Sequence, residues 1–206
     1  MKNRSLSLIF LLAGALSGFA QELRNVKVPV FQAGEILKYK LRYGFITAAD
    51  ATIRVEDTNA EFSNNPVFHL IAHGRTSGTF DIFYKVRNRY DSYIDKETLT
   101  PYLYTENIHE ANYRRSDKAR FYQDQKKIVS NKGIFKGDGQ TFDLVSAYYF
   151  ARSLDISKLA HGERFTMDYF LDDGITELTV QYVGKERVKT ALGYFNCLKF
   201  SPSIHP

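Results

Sequence analysis

The fold turns on one stretch, Glu35-Ile36-Leu37-Lys38-Tyr39-Lys40-Leu41-Arg42-Tyr43-Gly44. Leu37, Tyr39, Leu41 and Tyr43 alternate with Lys38, Lys40 and Arg42, so one kind of side chain recurs every second residue. Successive side chains of an extended chain point to opposite faces, and this is a strand with one buried and one wetted face. Gly44 breaks the run, and Ala51, Ile53 and Val55 resume it on one face.

Working outward, residues 59–66 are polar and turn-rich and read as a loop, and residues 67–73 as a third strand. Residues 74–78 read as a turn before the aromatic residues 80–84. Strand patterning returns over residues 86–94, and residues 95–100 form a polar turn before Pro101. Residues 102–109 and 113–123 read as two further strands, and residues 124–140, with Gly133, Gly137 and Gly139, as a hairpin with a loose tip.

Asp143 changes the pattern. Its carboxylate can accept from the free N–H groups of a helix's first turn, which predicts a helix from there to about Leu154. Leu144, Tyr148 and Ala151 then share one face, with Ala147 beside it. Strands resume over residues 163–171, and Asp172-Asp173-Gly174 is a tight-turn signal. Leu178, Val180 and Tyr182 alternate, and residues 186–190 and 195–200 pair around Gly193.

About ten strands, one helix and short connections exclude the strand–helix–strand rhythm of a parallel α/β fold. The expected fold is mainly β: an antiparallel, strongly curved or barrel-like sheet with one helix packed in or against it. Phe and Tyr supply the 15% aromatic content without any Trp, which fits strand packing better than a sugar-stacking platform.

The first twenty residues carry an export signal. Lys2 and Arg4 precede an apolar stretch, and Gly18-Phe19-Ala20 offers small residues before a cut after Ala20. The apolar run is shorter than the ~20 residues a bilayer span needs. The expected layout is a signal peptide (1–20), a short leader (21–32) and a single β-rich domain (33–206), located in the periplasm or secreted. No transmembrane span remains after cleavage. The net charge of +5 falls to +3 when Lys2 and Arg4 leave, and its basic residues are dispersed. That balance, with export, argues against a nucleic-acid partner and suits an anionic envelope surface better.

Chemistry-bearing patterns are sparse. His69 and His73 are four apart on a strand, hence ~13 Å apart and too far to share one metal ion. No nucleophile elbow, phosphate loop or calcium loop is present, and no metal or cofactor is implied. Cys197 is the one cysteine, so no intramolecular disulfide forms, and its neighbours predict a buried structural thiol. His109-Glu110 with Glu106 is the best polar constellation. It would have to converge in a cleft to serve as a glycan hydrolase.

Phe31-Gln32-Ala33-Gly34-Glu35 with Tyr39 to Gly44, and Gly74-Arg75-Thr76-Ser77-Gly78 followed by Phe83 to Tyr93 with Ile94-Asp95, resemble the opening and the central block of one exported bacterial family, domain of unknown function 3108. Asn107-Ile108-His109-Glu110 resembles its Asn-x-x-Glu strand, and Asp143-Leu144-Val145-Ser146-Ala147-Tyr148-Tyr149 its helix. Gly184-Lys185-Glu186 and Gly193-Tyr194-Phe195-Asn196-Cys197 resemble its late hairpin. The likeness spans residues 31 to 202 and implies an envelope location and a barrel-like β fold around a helix, with no established activity. Members usually continue past the Pro202 region, so the chain is expected to be a fragment.

The functional expectation is a non-catalytic module binding an apolar or amphiphilic ligand, such as a lipid, or an envelope partner protein. Its cavity should measure a few hundred Å³ and be lined by Tyr, Phe and Leu. The expected working surface is Arg75, Thr76 and Ser77 with Asn107, His109 and Glu110, chosen by the resemblance and by polar residues at turns. The alternatives are a structural partner that adds a strand to another envelope protein, and the hydrolase built on Glu106, His109 and Glu110. The oligomeric state is left open.

Overall fold

The computed structural model describes residues 30–137, 139–155, 159–171, 174–190 and 192–205. Residues 1–29, which hold the expected signal peptide and most of the expected leader, and the expected turn residues Asp172 and Asp173 lie outside the described residues.

The alternating runs become an eight-stranded antiparallel meander: β1 (Ile36–Tyr43), β2 (Ile46–Phe62), β3 (Asn65–Thr76), β4 (Arg87–Asp95), β5 (Pro101–Glu110), β6 (Tyr113–Tyr122), β7 (Lys127–Ser130) and β8 (Gly133–Lys136). A second sheet has the order β12-β11-β10-β9, built from β9 (Thr141–Phe142), β10 (Arg164–Leu171), β11 (Gly174–Thr190) and β12 (Gly193–His205). β9 runs parallel to β10, the one departure from antiparallel pairing among the described strands.

Two helices complete the fold, α1 (Gly78–Phe83) and α2 (Leu144–Arg152). The fold is mainly β and antiparallel, but neither the expected strong curl nor the expected closed barrel is found among the described residues. β1 and β8 are both edges of the large sheet. Its apolar face is covered instead by α2 and β10, so burial is achieved by a second layer and needs no closure.

Residues 59–66 are not a loop. β2 passes a register break between Asp57 and Glu61 and reverses at Ser63 and Asn64, whose φ values of 53° and 64° make a two-residue left-handed turn. The turn expected over 74–78 is also absent. β3 runs through to Thr76, and α1 follows directly. α1 has no buried residue and is held by polar contacts: Thr76 Oγ1 donates to Asp81 Oδ1 at 2.7 Å, and Arg87 pairs with Asp81 through both carboxylate oxygens. The Arg87 and Thr76 hydrogen bonds hold the Asp81 carboxyl down at about 2.

The helix at Asp143 forms as expected, with a full capping box. Asp143 Oδ1 accepts from Val145 and Ser146 N–H at 2.8 and 2.9 Å, and Ser146 Oγ accepts from Asp143 N–H. Its buried face differs from the expected one. Val145, Ser146, Ala147, Tyr149 and Phe150 are buried, whereas Leu144 and Tyr148 are exposed. Both Leu144/Tyr148 and Val145/Tyr149 are apolar pairs at helical spacing, so periodicity alone could not choose between them. The main core gathers Val55, Leu70 and Ile94 of the large sheet, Tyr149 and Phe150 of α2, and Met167 and Tyr169 of β10. Each of the aliphatic, Phe and Met side chains among them contributes roughly 1.5–3 kcal/mol on burial.

Two further expectations change. Phe31, assigned to the leader, is buried and meets Tyr149 edge-on at 4.6 Å. Cys197 is half-buried on the β11–β12 ribbon, whose outer part is exposed, because no second layer reaches it among the described residues.

Candidate functional site

Antiparallel register brings rows of side chains together across the large sheet. One inner row runs Leu37, Ile53, Ala72, Tyr90, Glu106 and Asp117 from β1 to β6. Glu106 and Asp117 are direct cross-strand partners, a pairing of like charges that is unfavourable by itself. Arg115, two residues before Asp117 on the same strand face, resolves it. Its Nε lies 2.8 Å from Glu106 Oε1 and 2.5 Å from Asp117 Oδ2. Tyr104 adds its hydroxyl to Glu106 Oε2 at 3.1 Å. Burial in this low-dielectric setting raises the Tyr104 phenol far above its usual range, so it stays a donor.

The cluster forms one wall of a half-open pocket of about 150 Å³. The other walls are mostly apolar, with Tyr90, Ile108, Phe170 and Leu144, the exposed first residue of α2, and they are joined by the polar Lys118 and Ser130. Toward the α1 end the same sheet face is less covered. Tyr39 and Leu41 are exposed, the small residues Ala51 and Gly74 stand beside Tyr39 in register, and Tyr39 and Tyr148 share a hydroxyl hydrogen bond of 2.5 Å.

The pocket is smaller than the few hundred Å³ expected. A larger groove of about 550 Å³ lies at the opposite end of the sheet, around Phe62, Tyr102, Arg120 and Gln123. It is mostly polar, and its aromatic rings stack on each other at 5.5 Å.

The six residues expected as the working surface come to one end of the sheet but do not form one cluster. Val86 bridges their two blocks: its N–H donates to Thr76 Oγ1, and it pairs with Glu110. Arg75 is exposed, 4.0 Å from Asp50. Thr76 is engaged with Asp81, and the Ser77 hydroxyl is buried without a partner at the start of α1. Asn107 and His109 are exposed on the outer face. Glu110 faces inward, where Asn88 Nδ2 donates to it at 2.7 Å. Strand alternation therefore puts His109 on the face opposite Glu106 and Glu110, and the hydrolase trio shares no cleft.

His69 and His73 do lie on one strand. His69 Nε2 sits 2.8 Å from Asp91 Oδ1 and its ring stacks on Tyr93 at 4.3 Å. Arg89 also holds Asp91; burial, the largest single influence, pushes its carboxyl up, but the hydrogen bonds and charges of Arg89 and His69 together pull it well below the usual carboxylate range. This is an outer-face ion network, and no group of metal-ligating side chains occurs among the described residues. Reasoning from sequence missed Arg115 and Asp117, because only the register joins them to Glu106.

The family described as protein of unknown function (DUF3108) matches residues 38–205. The chain belongs to this family. The DUF3108 match takes in both sheets and both helices, so the pocket, the ion cluster and the α1 end all lie inside it. No curated protein and no solved structure gives a significant match. Among the described residues no helix is long and apolar enough to cross a membrane.

Proposed function

We propose that this DUF3108 protein is an exported envelope module that binds an apolar or amphiphilic ligand without transforming it. The observation that carries the reading is the inner-face pocket, in which aromatic and aliphatic walls meet the Glu106–Arg115–Asp117 cluster. An apolar body fits the walls, and a polar head would meet groups already fixed in place. At about 150 Å³ the pocket suits a ring or the end of a chain, the remainder lying along Tyr39, Ala51 and Gly74. The acidic groups spend their bonding capacity on Arg115 and Tyr104, which favours recognition over acid–base work. The export pattern of residues 1–20 supports an envelope location, periplasmic or secreted.

A second reading, a partner that adds a strand to another envelope protein, is favoured by β12. Among the described residues it is an edge strand of thirteen residues with an exposed outer half, the kind of template that accepts a further strand.

Titration with a fluorescent fatty acid tests the first reading. Saturable binding lost on Leu144→Glu supports it; no binding, or binding untouched by that change, contradicts it.

A further inference from the structure

The end of the large sheet that carries α1 has an unusual surface. Three reversals of the chain meet there: the β1–β2 turn, the segment 77–86 and the β5–β6 turn. Ser77 N–H donates to Ala48 O at 3.0 Å, and Ala111 N–H to Lys85 O at 2.8 Å, which ties the three together. On this end Phe45, Ile82 and Phe83 are 94%, 82% and 81% exposed. Single exposed apolar residues are ordinary, but three large ones on adjoining reversals, with exposed Ile46 and Tyr84 beside them, make a patch that marks an interface.

The way α1 is built points the same way. It buries nothing, and the Thr76–Asp81–Arg87 contacts hold it in place, so its apolar side chains are left outward. Those contacts also neutralise Asp81, the one carboxylate on α1. Around the patch stand the exposed cations Arg42, Lys85 and Arg114, while Glu110 is turned inward to Asn88. A second copy docking face to face would bring cations against cations. An anionic surface satisfies both the apolar tip and its basic rim.

We infer that this end docks on an anionic bilayer, with Phe45, Ile82 and Phe83 entering the interfacial layer and Arg42, Lys85 and Arg114 meeting the lipid phosphates. Apolar area and basic charge together are the two contributions a peripheral protein uses to hold a membrane surface. The inference is independent of any ligand in the inner-face pocket.

The chain contains no tryptophan, which supplies a direct test. The full chain carrying Phe83→Trp has one reporter at the tip, and Tyr122→Trp places a control at the other end of β6. Vesicles of phosphatidylglycerol with phosphatidylethanolamine should shift the Phe83→Trp emission to the blue, and lipids brominated on their acyl chains should quench it. The Tyr122→Trp emission should not move, and salt or vesicles of phosphatidylcholine should weaken the response. Adding Phe45→Ser and Ile82→Ser should lower the tip's partitioning at least about tenfold. Three results would overturn the inference: a tip reporter that behaves like the control, a response that survives the serine changes, or a blue shift that grows with protein concentration without vesicles. The last would assign the face to a second copy.

Discussion

Ser92 Oγ donates to Asp143 Oδ2 at 2.6 Å, with both side chains fully buried. One carboxylate thus caps α2 and fastens it to β4, so the joint between helix and sheet is also the helix's start. Asp143→Ala should remove the cap and strand the Ser92 hydroxyl, costing about 2–4 kcal/mol in urea unfolding. Ser92→Ala should cost less, and a double-mutant cycle should give a coupling energy of about 1 kcal/mol or more. Simple additivity would mean the two groups act separately.

The same carboxylate sets a pH dependence. Burial, the largest influence, raises Asp143 above the usual carboxylate range despite its hydrogen bonds to Ser92, Ser146 and Val145. A raised value means its contribution is present below the ordinary Asp value of about 3.9 and is lost as pH rises through the folded value. Asp143→Asn keeps an accepting oxygen for the cap. Its stability, followed by chemical denaturation, should decline less than that of the wild type as pH rises from 4 toward neutral, a range set by the ordinary value of about 3.9.

Glu35 behaves oppositely. Arg152 donates to both of its oxygens, at 2.6 and 2.9 Å, and this pairing lowers its carboxyl below the ordinary value. Its contribution is therefore present above the ordinary Glu value of about 4.3 and is lost as pH falls through the folded value. Glu35→Gln should cost about 1 kcal/mol at neutral pH and show a shallower acid limb. Equal acid limbs in the two proteins would show that the pair contributes nothing.

Arg115 separates two facing carboxylates. Arg115→Met should destabilise the fold by about 2–4 kcal/mol, since Glu106 and Asp117 would then face each other with little water. Adding Glu106→Gln and Asp117→Asn should recover much of that loss in thermal melts. Failure to recover would indicate that the guanidinium matters for packing and not for charge.

Local signals in the sequence carried furthest. The alternation of residues 37–43 and the Asp143 cap act within one turn or strand, and both elements form. The helix face was misassigned because Leu144/Tyr148 and Val145/Tyr149 are equally good apolar pairs, and which of them is buried depends on β10, some twenty residues further on. α1 escaped notice because Thr76, Asp81 and Arg87 hold it across the start of β4, with no buried stripe to reveal it. Barrel closure depends on whether β1 meets β8, the most distant pairing in that sheet. Of the expected site, only Glu106 and Glu110 face inward from β5. The partners that give Glu106 its setting, Arg115 and Asp117, become neighbours only through the β5–β6 register.

The pocket reading distinguishes binding from stability. Leu144 is exposed at the pocket lip in the first turn of α2, where a negative charge favours the helix. Leu144→Glu should leave the melting midpoint unchanged or slightly raised while abolishing uptake of an apolar ligand.

Native mass spectrometry of the protein purified from its native host tests the central claim most directly. The account predicts an added mass from a small apolar or amphiphilic molecule on the wild type, absent from Leu144→Glu prepared in the same way. An unliganded wild-type mass, or the same adduct on both proteins, would contradict the assignment of the inner-face pocket as the binding site.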